Sequence, residues 1–233
     1  MRYLALAVDY DGTLATDGVV APATIQALER LCKSGRKLIM VTGRELDDLF
    51  SCFGHAWLFD WIVAENGAVL YRPSDQAERV LASSPPPQLV AALRRRGIAP
   101  LSVGRVILAT RKPHETAALE AIRDSGLEYQ VIFNKDAVML LPAGVNKASG
   151  LAAALKELSL SRHNVVGIGD AENDHAFLSM CECSVAVANA IPALRSRVDW
   201  TTLADHGAGV VELIDRLLDD DLASFEPRQE RHR

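Results

Sequence analysis

The chain is predicted to be α/β, a doubly wound parallel sheet with a small α+β domain inserted into it. Three observations predict this class. Short apolar runs alternate with helix-period segments over most of the 233 residues, the pattern of parallel strands covered by helices. The rhythm breaks at Ser83-Ser84-Pro85-Pro86-Pro87 and resumes near residue 143. Polar clusters follow apolar runs at residues 9–13, 42–44 and 169–174, and open α/β sheets carry their functional groups at the ends of such strands.

The first strand is expected over residues 3–8, an apolar run that stops at Asp9. Pro22 reads as a first-turn proline of a helix whose stripe is Ile25, Leu28 and Leu31 or Cys32, ending near Gly35. A strand over 37–41 completes a βαβ unit with a right-handed crossover. A strand over 61–64 follows, and then a short hairpin pairs 68–71 with 79–82. The insert reads as a helix over 88–96, a strand near 106–110, a helix over 113–125 and strands near 129–133 and 137–141, with a further candidate strand near 100–103. The α/β rhythm then returns with a helix over 146–158, a strand over 165–168, a helix over 172–180, a short strand over 184–187 and a last helix over 210–218. The expected division is therefore a core of residues 1–83 and 143–218 and a smaller domain of residues 84–142. Residues 219–233 are charged and poor in apolar side chains, and are expected to fray or to lead into a further domain.

Composition removes several function classes. A net charge of −5 with no dense basic stripe argues against nucleic-acid binding by phosphate neutralisation. No apolar run reaches the length of a membrane span, and the N-terminal one is cut short by Asp9 too early for a signal peptide, so a cytoplasmic location is expected. Cys32, Cys52, Cys181 and Cys183 lack metal-ligand spacing and are expected to be reduced core thiols. The histidines form no His-x-x-x-His pair and there is no Gly-x-Ser-x-Gly, which argues against a zinc hydrolase or a serine esterase.

The chemistry begins with Asp9 and Asp11. Spaced i, i+2 at a strand's end, they leave on the same side, one able to attack and the other to move a proton. Alone, Asp-Tyr-Asp-Gly serves equally well as a surface turn. Thr42 and Gly43 offer a hydroxyl and an exposed N–H at a strand-to-helix turn, either to grip a phosphate oxygen or simply to cap a helix. Lys147 lies in the first turn of a helix, where a cation opposes the helix dipole. A bound anion would reverse that penalty, whereas a solvated lysine beside an Asn146 cap would bear it. Asp170 and Asp174 would join Asp9 and Asp11 as four carboxylates in one crevice. Their repulsion calls for a divalent cation, and oxygen-only ligands with a phosphate partner point to Mg²⁺.

Together, DYDGTL, VTGR, the lone lysine at a helix start and GDAENDHAF stand in the order of the four motifs of the haloacid dehalogenase superfamily of phosphotransferases. The chain resembles that superfamily from Leu4 to about Val187. The ENGA run at residues 65–68, and an insert between the second and third motifs, resemble its Cof-type or IIB branch. The resemblance implies a phosphatase in which Asp9 attacks phosphorus to give an aspartyl-phosphate and Asp11 serves as acid and then base. Members that break carbon–halogen bonds lack an acid at the position of Asp11. It also implies Mg²⁺ held by Asp9, the backbone carbonyl of Asp11, Asp170 and, directly or through water, Asp174. Thr42, the Gly43 N–H and Lys147 would bind phosphate oxygens, with Asn173 orienting the group. Arg44 would reach substrate or pair with a core acid such as Glu65.

The insert would then be a cap over the site. In it, Arg94, Arg95 and Arg96 read as a solvated helix end instead of an anion clamp, and Arg111, Lys112 and Lys135 are looser substrate candidates. Its small size resembles the caps of sucrose-phosphate, trehalose-phosphate and small phosphoglycolate phosphatases, and implies a small phosphorylated metabolite such as a sugar phosphate. Three alternatives stay open. A trehalose-6-phosphate phosphatase is suggested by the tyrosine between the acids, though GDAEND departs from that pattern. A receiver-type signalling module would need its phosphorylated Asp after the third strand, where residues 61–65 supply none. A regulatory domain would keep the site without using it.

Overall fold

The computed structural model describes residues 1–224. The strands β1 (Ala5–Val8) and β2 (Lys37–Val41) flank α1 (Pro22–Lys33) in the first βαβ unit. Through α2 (Leu46–Cys52) the chain reaches β3 (Trp61–Ala64), and β4 (Val69–Arg72) and β5 (Ala77–Val80) follow antiparallel. The elements α3 (Pro87–Arg95), β6 (Ser102–Val103), β7 (Leu108–Arg111), α4 (Glu115–Ser125), β8 (Tyr129–Asn134) and β9 (Ala137–Pro142) then build a separate four-stranded antiparallel sheet in the order β6-β7-β9-β8. The first sheet is completed by α5 (Lys147–Glu157), β10 (Val165–Gly169), α6 (His175–Met180), β11 (Cys183–Ala186), α7 (Pro192–Arg195), β12 (Trp200–Thr201) and α8 (His206–Asp219).

The large sheet runs β12-β11-β10-β1-β2-β3-β4-β5 and is parallel from β12 through β3. From β1 the chain proceeds to β2 on one side, and it returns through β10 on the other. Such a reversal of strand order opens a crevice at the carboxyl ends of the strands. The all-apolar sequence of β1 follows from this position, because a central strand with helices on its faces buries every side chain.

In the small sheet the strand period of two sorts the side chains. Leu108, Val138 and Leu140 pack with Leu89 and Leu93 of α3 and Ala118 and Ile122 of α4 in an apolar cluster of their own. Met139 and Leu141, one residue out of phase, join the main core together with Ile107. One face of the small sheet thus carries helices while the other is turned toward the large sheet.

Several elements differ from their sequence expectation. The helix expected over 172–180 opens as a 3₁₀ turn, Glu172–Asp174, before α6 begins. The last helix starts at His206 and not at residue 210. Its first turn holds Gly207 and Gly209, which weaken a helical reading, yet a Cβ at Gly207 would lie 2.9 Å from the Leu14 carbonyl oxygen, so a bare backbone is what lets the helix dock. The segment past α8 is anchored as far as residue 222. Leu222 is buried in the main core, and Asp221 accepts a 2.8 Å hydrogen bond from the buried Arg36. Residues 225–233 of the expected tail lie outside the described residues. Among the described residues no helix is long and apolar enough to cross a membrane.

Candidate active site

Asp9 directly follows β1, Thr42 and Gly43 follow β2, Asp170 follows β10, and Lys147 opens α5. All stand at the crevice end of the large sheet. Two close approaches bring α5 there. Gly67, at φ +108°, has no room for a Cβ because the Asn146 carbonyl occupies that space. Gly150 lies against it, and a Cβ there would sit 2.6 Å from the Gly67 Cα. Asn146 caps the helix, its Oδ1 accepting from the N–H of Ala148 at 2.9 Å and of Ser149 at 3.1 Å.

Lys147 is fully buried and is not the solvated lysine of an ordinary helix start. Its Nζ donates to Asp9 Oδ1 and Asp174 Oδ1, both at 2.5 Å. Burial would lower its pKa, but Asp174 and Asp9 outweigh burial and hold it above the ordinary lysine value. Asp9 is pushed well above the usual carboxylate range by burial first, then by Asp174 and Asp170, with Lys147 opposing. Lys147 on Asp9 and Asp174, with Lys135 on Asp170, leaves three acids facing two cations. Oxygens of Asp9, Asp170 and Asp174 lie within 4.8 Å of one another, and all three residues are buried. Asp174 is fixed by the N–H groups of Asp170 and Ala171, which donate to its Oδ2 at 2.8 and 2.9 Å. Thr13 donates to Asp170 Oδ1 at 3.0 Å. A buried set of carboxylate oxygens, with no sulfur or nitrogen donor, suits a hard divalent cation.

The fourth acid is elsewhere. Asp11 does not join the triad, because Arg44 grips it with both arms, Nε to Oδ2 and a terminal nitrogen to Oδ1, each at 2.7 Å. Among the described residues the candidate metal cluster therefore gathers three carboxylates and not four, while Asp11 lines the cavity beside Gly12. Asp11's hydrogen bonds hold Arg44 above its ordinary pKa against a burial that would lower it. Arg44 also donates to Asp48 at 2.7 Å. Arg44 thus pairs with the partly exposed Asp11 and not with the core acid Glu65.

Thr42 is fully buried, and its Oγ1 accepts from the Arg44 N–H at 3.1 Å. Gly43 faces Asn173, since a Cβ on Gly43 would stand 3.8 Å from its Nδ2. Asn173 Nδ2 donates to Asn66 Oδ1 at 3.0 Å, leaving Asn173 Oδ1 and Asn66 Nδ2 buried without protein partners. Unsatisfied buried amides beside the Thr42-Gly43 turn fit a site that holds a ligand. Asn66 also donates its backbone N–H to the Thr42 carbonyl at 2.9 Å, which ties the second motif to the fourth.

Sequence reasoning missed the contacts that three residues make. Glu65 is fully buried and receives the N–H groups of Arg105, Val106 and Ile107 from the β6–β7 turn at 2.8–2.9 Å. Asn66 binds Asn173, and Thr13 binds Asp170. The ENGA run contained the first two signals, but the residues they meet lie about forty and a hundred positions away. Of the looser candidates in the insert, Lys135 reaches the site: its Nζ donates to Asp170 Oδ2 at 2.7 Å. At the end of α3, Arg96 pairs with Asp124 at 2.5 Å.

Comparison with known proteins points to one family. The haloacid dehalogenase-like hydrolase family matches residues 6–97 and 100–214. The phosphoglycolate phosphatase of Methanothermobacter thermautotrophicus is 34% identical over 229 residues, covering 92% of this chain and 98% of that protein. Phosphoglycolate phosphatase 2 of Saccharolobus solfataricus is 28% identical, covering 92% of each. Among solved structures, a HAD/COF-like hydrolase from Plasmodium vivax shares the fold with a TM-score of 0.81 at 19% identity, over 94% of this chain and 96% of that one. With the family matched along nearly its whole length and its motif residues gathered at one crevice, the chain belongs to the haloacid dehalogenase-like hydrolases and is a phosphatase.

Proposed function

We propose that the chain is a Mg²⁺-dependent phosphomonoester hydrolase of a small phosphorylated metabolite, working through an aspartyl-phosphate on Asp9. The observation that carries this reading is the separation of the two acids: Asp9 sits on buried Lys147 inside the carboxylate triad, and Asp11 sits on Arg44 outside it. Held by Asp9, Asp170, Asp174 and the Asp11 carbonyl, Mg²⁺ would neutralise charge on the triad and on the transferring phosphoryl group.

The remaining chemistry belongs to the chain. Asp9 attacks phosphorus through the oxygen that Lys147 does not hold, and the bond from phosphorus to the leaving oxygen breaks. One of the two Arg44 contacts opens so that Asp11 carries a proton, which it gives to that oxygen; it then takes one from the water that attacks the acyl phosphate, which returns both acids to their starting state. Arg44 positions Asp11 for this exchange. Thr42, the Gly43 N–H and Lys147 hold phosphate oxygens, and Asn173, steadied by Asn66, orients the group. Residues 84–142 act as a cap that excludes water.

The names of the relatives make 2-phosphoglycolate the first substrate to assay, with sugar phosphates second. Phosphate release is expected to require Mg²⁺ and to fall on the order of 10⁴- to 10⁶-fold in Asp9→Asn. Mass spectrometry of acid-quenched enzyme should find the phosphoryl group on the peptide carrying Asp9. Turnover that survives chelation, or full activity in Asp9→Asn, would overturn the mechanism.

A further inference from the structure

Lys135 stands at the tip of the β8–β9 hairpin and crosses from the small sheet to the crevice. Its backbone N–H donates to Glu172 at 3.2 Å and its Nζ to Asp170 Oδ2 at 2.7 Å. The ammonium rests on Gly12, where an added Cβ would lie 2.8 Å from it. Its side chain is 51% exposed, and with Asn134 and Ala137 it walls one side of a cavity of about 610 Å³. Asp11, Gly12, Asp17 and Arg44 line the other side.

The cations around this crevice are not equivalent. Lys147 is enclosed between Asp9 and Asp174, and Arg44 is held by Asp11 and Asp48. The ammonium of Lys135 has Asp170 as its side-chain partner. Under the function proposed above, on which this inference rests, Asp170 is a metal ligand. With a divalent cation bound there, Asp170 would no longer hold the ammonium, which would be free to turn to another anion. The adjoining space is the cavity beside Asp11, into which the alcohol part of a substrate must extend for Asp11 to protonate it.

We infer that Lys135 is a specificity-determining residue that binds a carboxylate carried by the leaving group, so that the preferred substrate is a phosphorylated hydroxy acid of two or three carbons. The reach sets the size. The ammonium stands one ion-pair distance beyond a carboxylate whose oxygen lies within 4.8 Å of Asp9's. The surrounding charge sets the class. Arg44 is already held by Asp11 and Asp48, so Lys135 is the lining cation left for a ligand; one such ammonium beside Asp11 and Asp17 suits a monoanion better than a second phosphate.

The test compares kcat/KM for 2-phosphoglycolate and ethyl phosphate, which differ by a carboxylate in place of a methyl group. The wild type is expected to prefer 2-phosphoglycolate. Lys135→Met should reduce that preference about thirtyfold, the scale of one charge-assisted hydrogen bond, while Lys135→Arg keeps most of it. The Mg²⁺ concentration for half-maximal rate is measured alongside with ethyl phosphate. No preference in the wild type, or a ratio unmoved by Lys135→Met, would overturn the inference. So would a ratio unmoved while the Mg²⁺ dependence shifts, which would assign the lysine to the metal ligands alone. A wild type that hydrolyses neither ester nor p-nitrophenyl phosphate would instead overturn the proposed function.

Discussion

Glu65 offers the sharpest test of how the small sheet is held on the core. Its Oε1 accepts from the Arg105 N–H at 2.9 Å, and its Oε2 from those of Val106 and Ile107 at 2.8 and 2.9 Å. In Glu65→Gln one oxygen becomes an NH₂ group. The least damaging orientation places that group at the Oε1 position, which sets one buried N–H against a donor and turns the other two bonds from charge-assisted to neutral. An orphaned buried donor costs about 1–3 kcal/mol, and the loss of charge assistance adds roughly 1 kcal/mol, so a total of about 2–4 kcal/mol is expected. Because all three donors lie on the β6–β7 turn, the loss falls on docking of the small sheet and leaves the large sheet's own packing intact. Native-state hydrogen exchange should therefore speed up at residues 105–107 by roughly 30- to 1000-fold, with much smaller changes in β1 and β10. Protection at residues 105–107 unchanged within threefold, together with an unchanged thermal midpoint, would refute the reasoning.

Two further outcomes are expected. Gly150→Ala would stabilise an open helix by about 1 kcal/mol; here the added Cβ meets Val63 and the Gly67 backbone, so a loss of about 1–3 kcal/mol is expected, and a raised urea midpoint would contradict it. Burial would raise the pKa of Asp221, but the Arg36 guanidinium and the Arg2 and Tyr3 backbone outweigh burial and hold it below its ordinary 3.8. A carboxyl depressed in the folded state adds stability above the unfolded value and loses it as pH falls through the folded one. The gap in urea midpoint between wild type and Asp221→Asn should thus be full at pH 7 and close below about pH 4; a gap that widens on acidification would contradict the assignment.

What was legible in the sequence was local. A strand buried on both faces must be an apolar run, and its end must release a polar residue, so β1, β2, β3 and β10 and the clusters that follow β1, β2 and β10 could be read directly. Lys147 was visible as a charge on the wrong end of a helix, and it proves to be held by two buried acids. What escaped was either short or distant. The helix α2 is seven residues long and buries only Leu46 and Leu49, too little for a period to emerge, and β12 has two residues. The β6–β7 turn that binds Glu65 and the hairpin that carries Lys135 meet the crevice only because the small sheet folds over it, and no local pattern encodes that contact. Four carboxylates were expected together for the same reason: the sequence shows which acids reach the strand ends, but not that Arg44 draws Asp11 aside.

The residue between the two acids shows how that separation is maintained. Tyr10 is buried, donates its hydroxyl to the Gly18 carbonyl at 2.9 Å, and packs edge-on against Phe53 with ring centres 5.5 Å apart. The Arg44 guanidinium lies 5.4 Å from the centre of the Tyr10 ring. The ring is thus fixed at its hydroxyl and its edge, and offers its π system to the cation that holds Asp11. Asp9 and Asp11 are separated by one residue in sequence but belong to two different ionic networks, one anchored by Lys147 and the other by Arg44. Tyr10 takes part in the second network and lines neither the triad nor the cavity beside Lys135. A tyrosine at this position therefore supports the Arg44 that holds Asp11. Tyr10 thus meets the cavity through Gly18 and Arg44, which line it, and under the proposed function direct contact with the alcohol would fall to the side chains that face that cavity.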